Sequence, residues 1–424
     1  MQISITDGVD LILIPTQQFK TNRIVVSFMT ELADVRSLSI RTLLSNLLET
    51  SSSDFPTQSK TAMELSKMYG AGFGTTVNRH GNIHMINFVF NCIDDKFLEN
   101  PVGLVDAGFT FLKKMILNPL AEDGEFDQET FLRQKKNLIA YVNSIRDNKQ
   151  SYASLKLQEG YFNEAAQKSP VFGSAEELEK LTSKDVYDAY LEMIKNDRIQ
   201  ILVSGDIDEN LAAERSKDFN FAERKPGYFD LNYAQPLKKT VSENVEKQKL
   251  NQSKLDLGYR LDVPYRSKLH YAALIFNGLF GGSPLSKLFV NVREKESLAY
   301  YASSSFDPYR QFLMVQTGIQ SANKEHVIQL IADQLKALAI GDFEDVLVEN
   351  VKSSLINNFE SRLDNQMTAV NRAQNDILTG TYVSNEDWIR NVLSVSKAEI
   401  MEVASKVKLQ NIYFLDGGNQ AWKR

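Results

Sequence analysis

Four histidines and one cysteine are the only imidazole and thiol groups in this 424-residue chain, so metal or nucleophile chemistry would have to be assembled from few parts. His80 and His84 stand four residues apart, the separation that places two zinc ligands on one helix face. Gly81 and Asn82 lie between them, and the flanking residues are those of strands, so the spacing specifies a hairpin rather than a helix. On a hairpin the pair gains no third ligand by spacing. His270 and His326 are single residues on helical stretches. Cys92 alone can form neither an intrachain disulfide nor a cysteine-built zinc site. The run from Gly281 to Lys287 has the glycines and the lysine of a phosphate loop. Ser286 stands where the second glycine must precede that lysine, and the pattern fails. The run reads instead as a helix end at Gly281 and Gly282, a cap at Ser283, and Pro284 in the first turn of another helix. No metal and no cofactor is expected.

Hydrophobic residues make up 43% of the chain and charged residues 24%, which excludes a largely disordered chain, a collagen and a coiled-coil rod. A net charge of −6 offers no electrostatic footprint for nucleic acid or an anionic membrane. The opening MQISITDGVDLILIPT has no basic region ahead of its apolar stretch and already carries Asp7, so no secretory signal is expected in it. No uncharged apolar run reaches the ~18 residues of a membrane span. A cytoplasmic location is expected.

These residues are positioned by elements that occur twice. Asn137 to Asn148 resembles Ser354 to Asn365, with Asp147 and Asp364 offset by 217 positions. Leu181 to Tyr187, leading to the strand before Asp206, resembles Val395 to Met401, leading to the strand before Gly417. The matches occur in the same order at about half the chain length, which points to duplication. Residues 1–220 and 246–424 are therefore expected to be two α+β repeats. Residues 221–245, containing Lys225-Pro226-Gly227 and Gln235-Pro236, are expected to link them. In the first repeat, strands are expected at Asp10–Thr16 and Arg23–Met29. Helices follow at 37–50 and 57–69, the second closed by Gly70, then a hairpin over 73–90 and helices near 98–116, 126–146, 151–165 and 183–195. In the second, helices are expected near 266–279, 284–296, 323–338, 343–361 and 397–407. Antiparallel strands with helices segregated to one face define the fold class as α+β.

The segment from Phe280 to Tyr300, with Arg293 and Tyr300 seven apart, resembles the second-half signature of the pitrilysin/insulinase-like zinc metallopeptidases. The similarity extends to Leu181–Asp206 and to the duplicated halves, and so covers essentially the whole chain. It implies a clamshell in which the arginine and tyrosine of one half act at a zinc site carried by the other. The family's zinc motif, His-x-x-Glu-His, falls on Asn46-Leu47-Leu48-Glu49-Thr50, of which only Glu49 remains. Gln134 and Tyr141 stand where two downstream acids are expected, Tyr141 at the third ligand. Zinc requires imidazole, carboxylate or thiolate donors, and without a metal-bound water Glu49 has no proton to remove.

The resemblance thus implies a partner-type, non-catalytic subunit. Its expected partner is a homologous subunit with an intact zinc motif, and its ligand a peptide or protein substrate. Arg293 and Tyr300 are the expected substrate-binding residues, a fixed guanidinium and a phenol that hold a peptide carbonyl and stabilise oxyanion charge. Catalytic residues are not expected in this chain. The opening Gly8–Thr21 resembles a bacterial subgroup named for association with 5-aminopentanol modification of elongation factor P. A structural scaffold with no part in proteolysis is the alternative.

Overall fold

The computed structural model describes residues 1–225 and 229–418, so Pro226 and Gly227 of the expected linker lie outside the described residues. Through the first half the elements are β1 (Gln2–Thr6), β2 (Val9–Pro15), β3 (Thr21–Glu31), α1 (Val35–Thr50), α2 (Gln58–Lys67), β4 (Gly72–His80), β5 (Ile83–Ile93) and α3 (Leu104–Leu117). A short hairpin, β6 (Ala121–Glu122) and β7 (Glu125–Phe126), leads to α4 (Gln128–Ser144), α5 (Lys149–Tyr161), α6 (Ala165–Lys168), α7 (Ala175–Lys180), α8 (Ser183–Asn196), β8 (Arg198–Gly205) and α9 (Glu209–Asp218). The second half holds β9 (Ser242–Lys247), β10 (Ser253–Leu261), α10 (His270–Phe280), a π-helical segment at Leu288–Lys295, β11 (Ala299–Asp307) and β12 (Phe312–Ile319). It closes with α11 (Lys324–Ile340), α12 (Asp345–Leu363), α13 (Gln366–Thr379), α14 (Asn385–Ser394), α15 (Lys397–Lys406) and β13 (Val407–Asp416).

The helices start where polar caps allow. Asp34, Thr57, Thr182 and Ser396 each accept a backbone N–H of the first turn, and the last two complete capping boxes with Asp185 and Glu399. Gly70 sits just beyond α2 at φ +72°, a left-handed position that a side chain resists.

The fold class is the expected α+β. One sheet has the order β1-β2-β8-β3-β5-β4, the other β11-β12-β10-β13-β9. Each is antiparallel except for one parallel pair, β2 with β8 and β13 with β9. Taken from β2 to β4 and from β9 to β11, the two sheets share strand order and pairing sense. The apolar side of the first sheet, with Ile24, Val26 and Phe28 of β3, packs on Leu43, Leu44, Leu47, Phe109 and Leu112 of α1 and α3. In the second, Leu255, Leu257 and Tyr259 of β10 pack on Ile275, Phe276, Leu279, Ile331 and Val403.

The compact units are not contiguous. One comprises residues 1–143, 170–231 and 363–382; the other comprises 144–169, 232–362 and 383–424. This departs from a simple division at residues 221–245, because a helix of each half belongs to the other half's unit. In the first unit Met367, Val370, Ala373 and Ile377 of α13 cover Ile12, Val25 and Leu202. Its Gln366 side chain donates to the carbonyls of Thr21 and Ser204, and Gln374 donates to Ser27 Oγ. In the second unit Ala153, Leu157 and Tyr161 of α5 pack on Phe312, Tyr413 and Leu415. Each sheet therefore receives one helix on the face opposite its main helical layer, and α13 is a helix the sequence reading did not foresee.

Candidate functional site

The positions of the absent zinc motif are brought together within the first unit. Asn46, Glu49 and Thr50 lie on the last turns of α1, and α4 crosses them. Gln134 Nε2 donates to Thr50 Oγ1 at 2.8 Å, and that hydroxyl donates in turn to the Asn46 carbonyl at 2.7 Å. The contact at Thr50 is made by Gln134, whereas Tyr141 lies two turns along α4, half exposed and edge-on to Phe172. Glu49 is turned to β4, where its carboxylate accepts the Thr75 N–H at 2.9 Å and the Thr75 hydroxyl at 2.6 Å. The family's zinc does not fit here. The facing groups are amides, a hydroxyl and a phenol, Thr50 Oγ1 is already engaged as donor and acceptor, and the single carboxylate is occupied by a strand. Among the described residues no cluster of three or more metal-ligating side chains occurs.

His84 is likewise spent on structure. The hairpin of β4 and β5 turns through Gly81 and Asn82 as expected, which pairs Arg79 with His84 across the strands. His84 is buried, and its Nδ1 accepts Arg41 Nε at 2.9 Å. Burial first, then the Arg41 charge, holds the imidazole well below its ordinary pKa and therefore neutral. Arg41 also reaches Asp197 at 2.7 Å and the Phe28 carbonyl at 3.3 Å. This buried network fixes α1 on β3, β5 and α8, and no sequence motif announced it. His270 is buried at the start of α10 between Tyr265 and Tyr271.

In the second unit the Arg293 and Tyr300 segment departs from regular structure twice. The expected helix at 284–296 forms only from Leu288, as a π-helix, in which Glu296 N–H reaches the Asn291 carbonyl five residues back. Ser283 does not cap it; its hydroxyl donates to the Gly278 carbonyl at 2.8 Å and closes α10 instead. Leu288 and Val292 are fully buried, and Asn291 Nδ2 donates to Gln334 of α11, so the inner side of the segment is anchored. Arg293 emerges on the outer side with its guanidinium 4.4 Å from the Phe289 ring centroid, and it makes no ion pair with another described residue.

Four residues after the π-helix the chain enters β11, an edge strand of the second sheet. Ala299 pairs with Ile319 and Tyr301 with Gly318, which leaves Tyr300 as the extra residue of a β-bulge. Its ring is 71% exposed, an unusual state for a strand tyrosine.

The family described as the Peptidase M16 inactive domain matches residues 180–355, a span that includes Arg293 and Tyr300. The "Probable inactive metalloprotease YmfF" of Bacillus subtilis is 28% identical over 411 residues, covering 97% of this chain and 96% of that one. A conserved protein of Enterococcus faecalis, known from its crystal structure, is 39% identical with a TM-score of 0.95, over 100% of this chain and 99% of that one. A peptidase M16 inactive domain from Pseudomonas fluorescens shares the fold, with a TM-score of 0.80 at 15% identity over 100% and 99% of the two chains. Over residues 180–355 the chain is similar to the peptidase M16 inactive-domain family, and among its described residues no set of zinc ligands is gathered.

Proposed function

We propose that this chain is the substrate-binding subunit of a heterodimeric insulinase-like zinc peptidase and supplies Arg293 and Tyr300 in trans to a partner's active site. The partner is a homologous subunit with an intact His-x-x-Glu-His motif, and the ligand is a peptide. The observation that carries this reading is the bulge at Tyr300. A phenol displaced from the ladder and left 71% exposed, seven residues after a guanidinium with no ion pair among the described residues, is poorly explained by packing. It is well suited to donate to a peptide carbonyl and to the oxyanion that develops from it. Loss of the zinc donors in the same chain agrees with a division of labour. A cytoplasmic location is part of this proposal; among the described residues no helix is long and apolar enough to cross a membrane. Association with elongation factor P modification remains part of this proposal, resting on the resemblance of Gly8–Thr21 alone.

The test is reconstitution with a zinc-bearing homologue and an internally quenched peptide. Cleavage should exceed that of either subunit alone. Tyr300→Phe, which removes one hydroxyl, should lower kcat on the order of 10²-fold without weakening assembly, the range for one oxyanion donor. Arg293→Lys should restore little of what Arg293→Ala loses, because an ammonium lacks the planar fork. Wild-type cleavage by both Arg293→Ala and Tyr300→Phe, at equal subunit affinity, would identify the chain as a scaffold.

A further inference from the structure

A bulge on an edge strand presents a side chain usefully only if its neighbours are fixed, and here the fixing residue is Tyr301. It pairs with Gly318 of β12, and Gly318 pairs on its other side with Lys254 of β10. Gly318 needs no unusual backbone conformation; what it supplies is space. A Cβ there would stand 2.6 Å from Tyr301 Cε1 and 2.7 Å from the Gln252 side chain. The Tyr301 ring therefore lies directly on the Gly318 backbone, at a distance only a glycine permits. Lys254 Nζ stands 5.1 Å from the ring centroid and donates to Gln252 Oε1 at 2.8 Å. Gly318 forms the floor of a slot, and Lys254 and Gln252 form its sides. The hydroxyl of Tyr301 is buried in the same place.

We propose that Tyr301, seated on Gly318 and held by Lys254, is a positioning residue that sets the direction in which Tyr300 leaves the strand; its functional arm rests on the reading that Tyr300 meets the substrate. With the Tyr301 ring pinned, the bulge has one way to turn and Tyr300 is projected outward. With the slot filled, the ring must lift and the bulge turns with it.

The test uses the full chain labelled with 3-fluorotyrosine, with the Tyr300 ¹⁹F resonance identified by its absence in Tyr300→Phe. Gly318→Ala should shift or broaden that resonance. In the reconstituted peptidase it should lower kcat on the order of tenfold with KM little changed, as expected for a misplaced catalytic group. In a Tyr300→Phe background Gly318→Ala should lose most of this effect. Lys254→Met places no new atoms in the slot, and should move the same resonance in a chain whose folding is undisturbed. An unmoved Tyr300 resonance in both variants overturns the proposal, as does a Gly318→Ala effect of equal size with and without the Tyr300 hydroxyl. If Tyr300→Phe alone leaves cleavage intact, the peptidase reading fails, while the ¹⁹F result still decides whether Tyr301 positions Tyr300.

Discussion

Replacing Arg41 by Met should cost the first unit ~3–5 kcal/mol at pH 7, the range for removing one partner of a buried ion pair. The structure supplies the reasons. Asp197 is 5% exposed and loses its 2.7 Å contact with Arg41, while His84 Nδ1 loses the Arg41 donor. Arg224 Nη1 binds the Asp197 backbone carbonyl and only partly offsets the loss at the carboxylate. The methionine keeps the apolar stem, so the deficit is electrostatic rather than a cavity. In the wild type, burial pushes the Asp197 carboxyl up and Arg41 pulls it back. Without Arg41 only the Arg224 charge opposes that upward push, so the folded carboxyl is raised further. A carboxyl with a raised folded pKa gives its full stability below the unfolded value of 3.8, and that stability is lost as pH rises through the folded value. The gap between wild type and variant should therefore widen from pH 5 to pH 8. Urea unfolding followed by far-ultraviolet circular dichroism measures it as a shift in midpoint at unchanged slope. Adding Asp197→Leu removes the stranded carboxyl and should recover ~2 kcal/mol of the loss. A loss below ~1 kcal/mol, or an equal loss at pH 5 and pH 8, would refute the view that this network clamps α1.

Two further expectations concern the second unit. Complete burial raises the Asp256 carboxyl to about 8, against the opposing pull of a Gln316 hydrogen bond and the Lys254 charge. Its contribution is full below pH 3.8 and is lost as pH rises towards 8, so Asp256→Asn should gain stability over wild type across that interval in parallel urea titrations. Burial, with a smaller push from Arg266, lowers His270 from 6.5 to about 4. The unfolded chain then takes a proton first, and stability should fall by ~3 kcal/mol as pH drops from 6.5 to 4, a slope that His270→Phe should abolish.

Where function depends on residue type alone, the sequence was sufficient. Asn46 and Thr50 cannot replace imidazoles in any fold, and four scattered histidines cannot build the family's motif elsewhere. Helix starts at Thr57, Thr182 and Ser396, and the hairpin turn at Gly81 and Asn82, were legible because caps and turns are local chemistry, whereas α1 begins two residues before the expected 37. The tertiary structure decided what depends on distant partners. That α5 and α13 join the unit of the opposite half follows from which apolar sheet face lies open to them, information no helical period carries. That Gln134 rather than Tyr141 meets Thr50 is set by how α4 crosses α1. The bulge at Tyr300 exists only in register with β12, and its support depends on Gly318 and Lys254, which are 18 and 46 positions away in the chain but adjacent in the sheet. Hydrogen-bond register is a property of paired strands, so a single strand's sequence could mark Tyr300 as a candidate but could not show it turned outward.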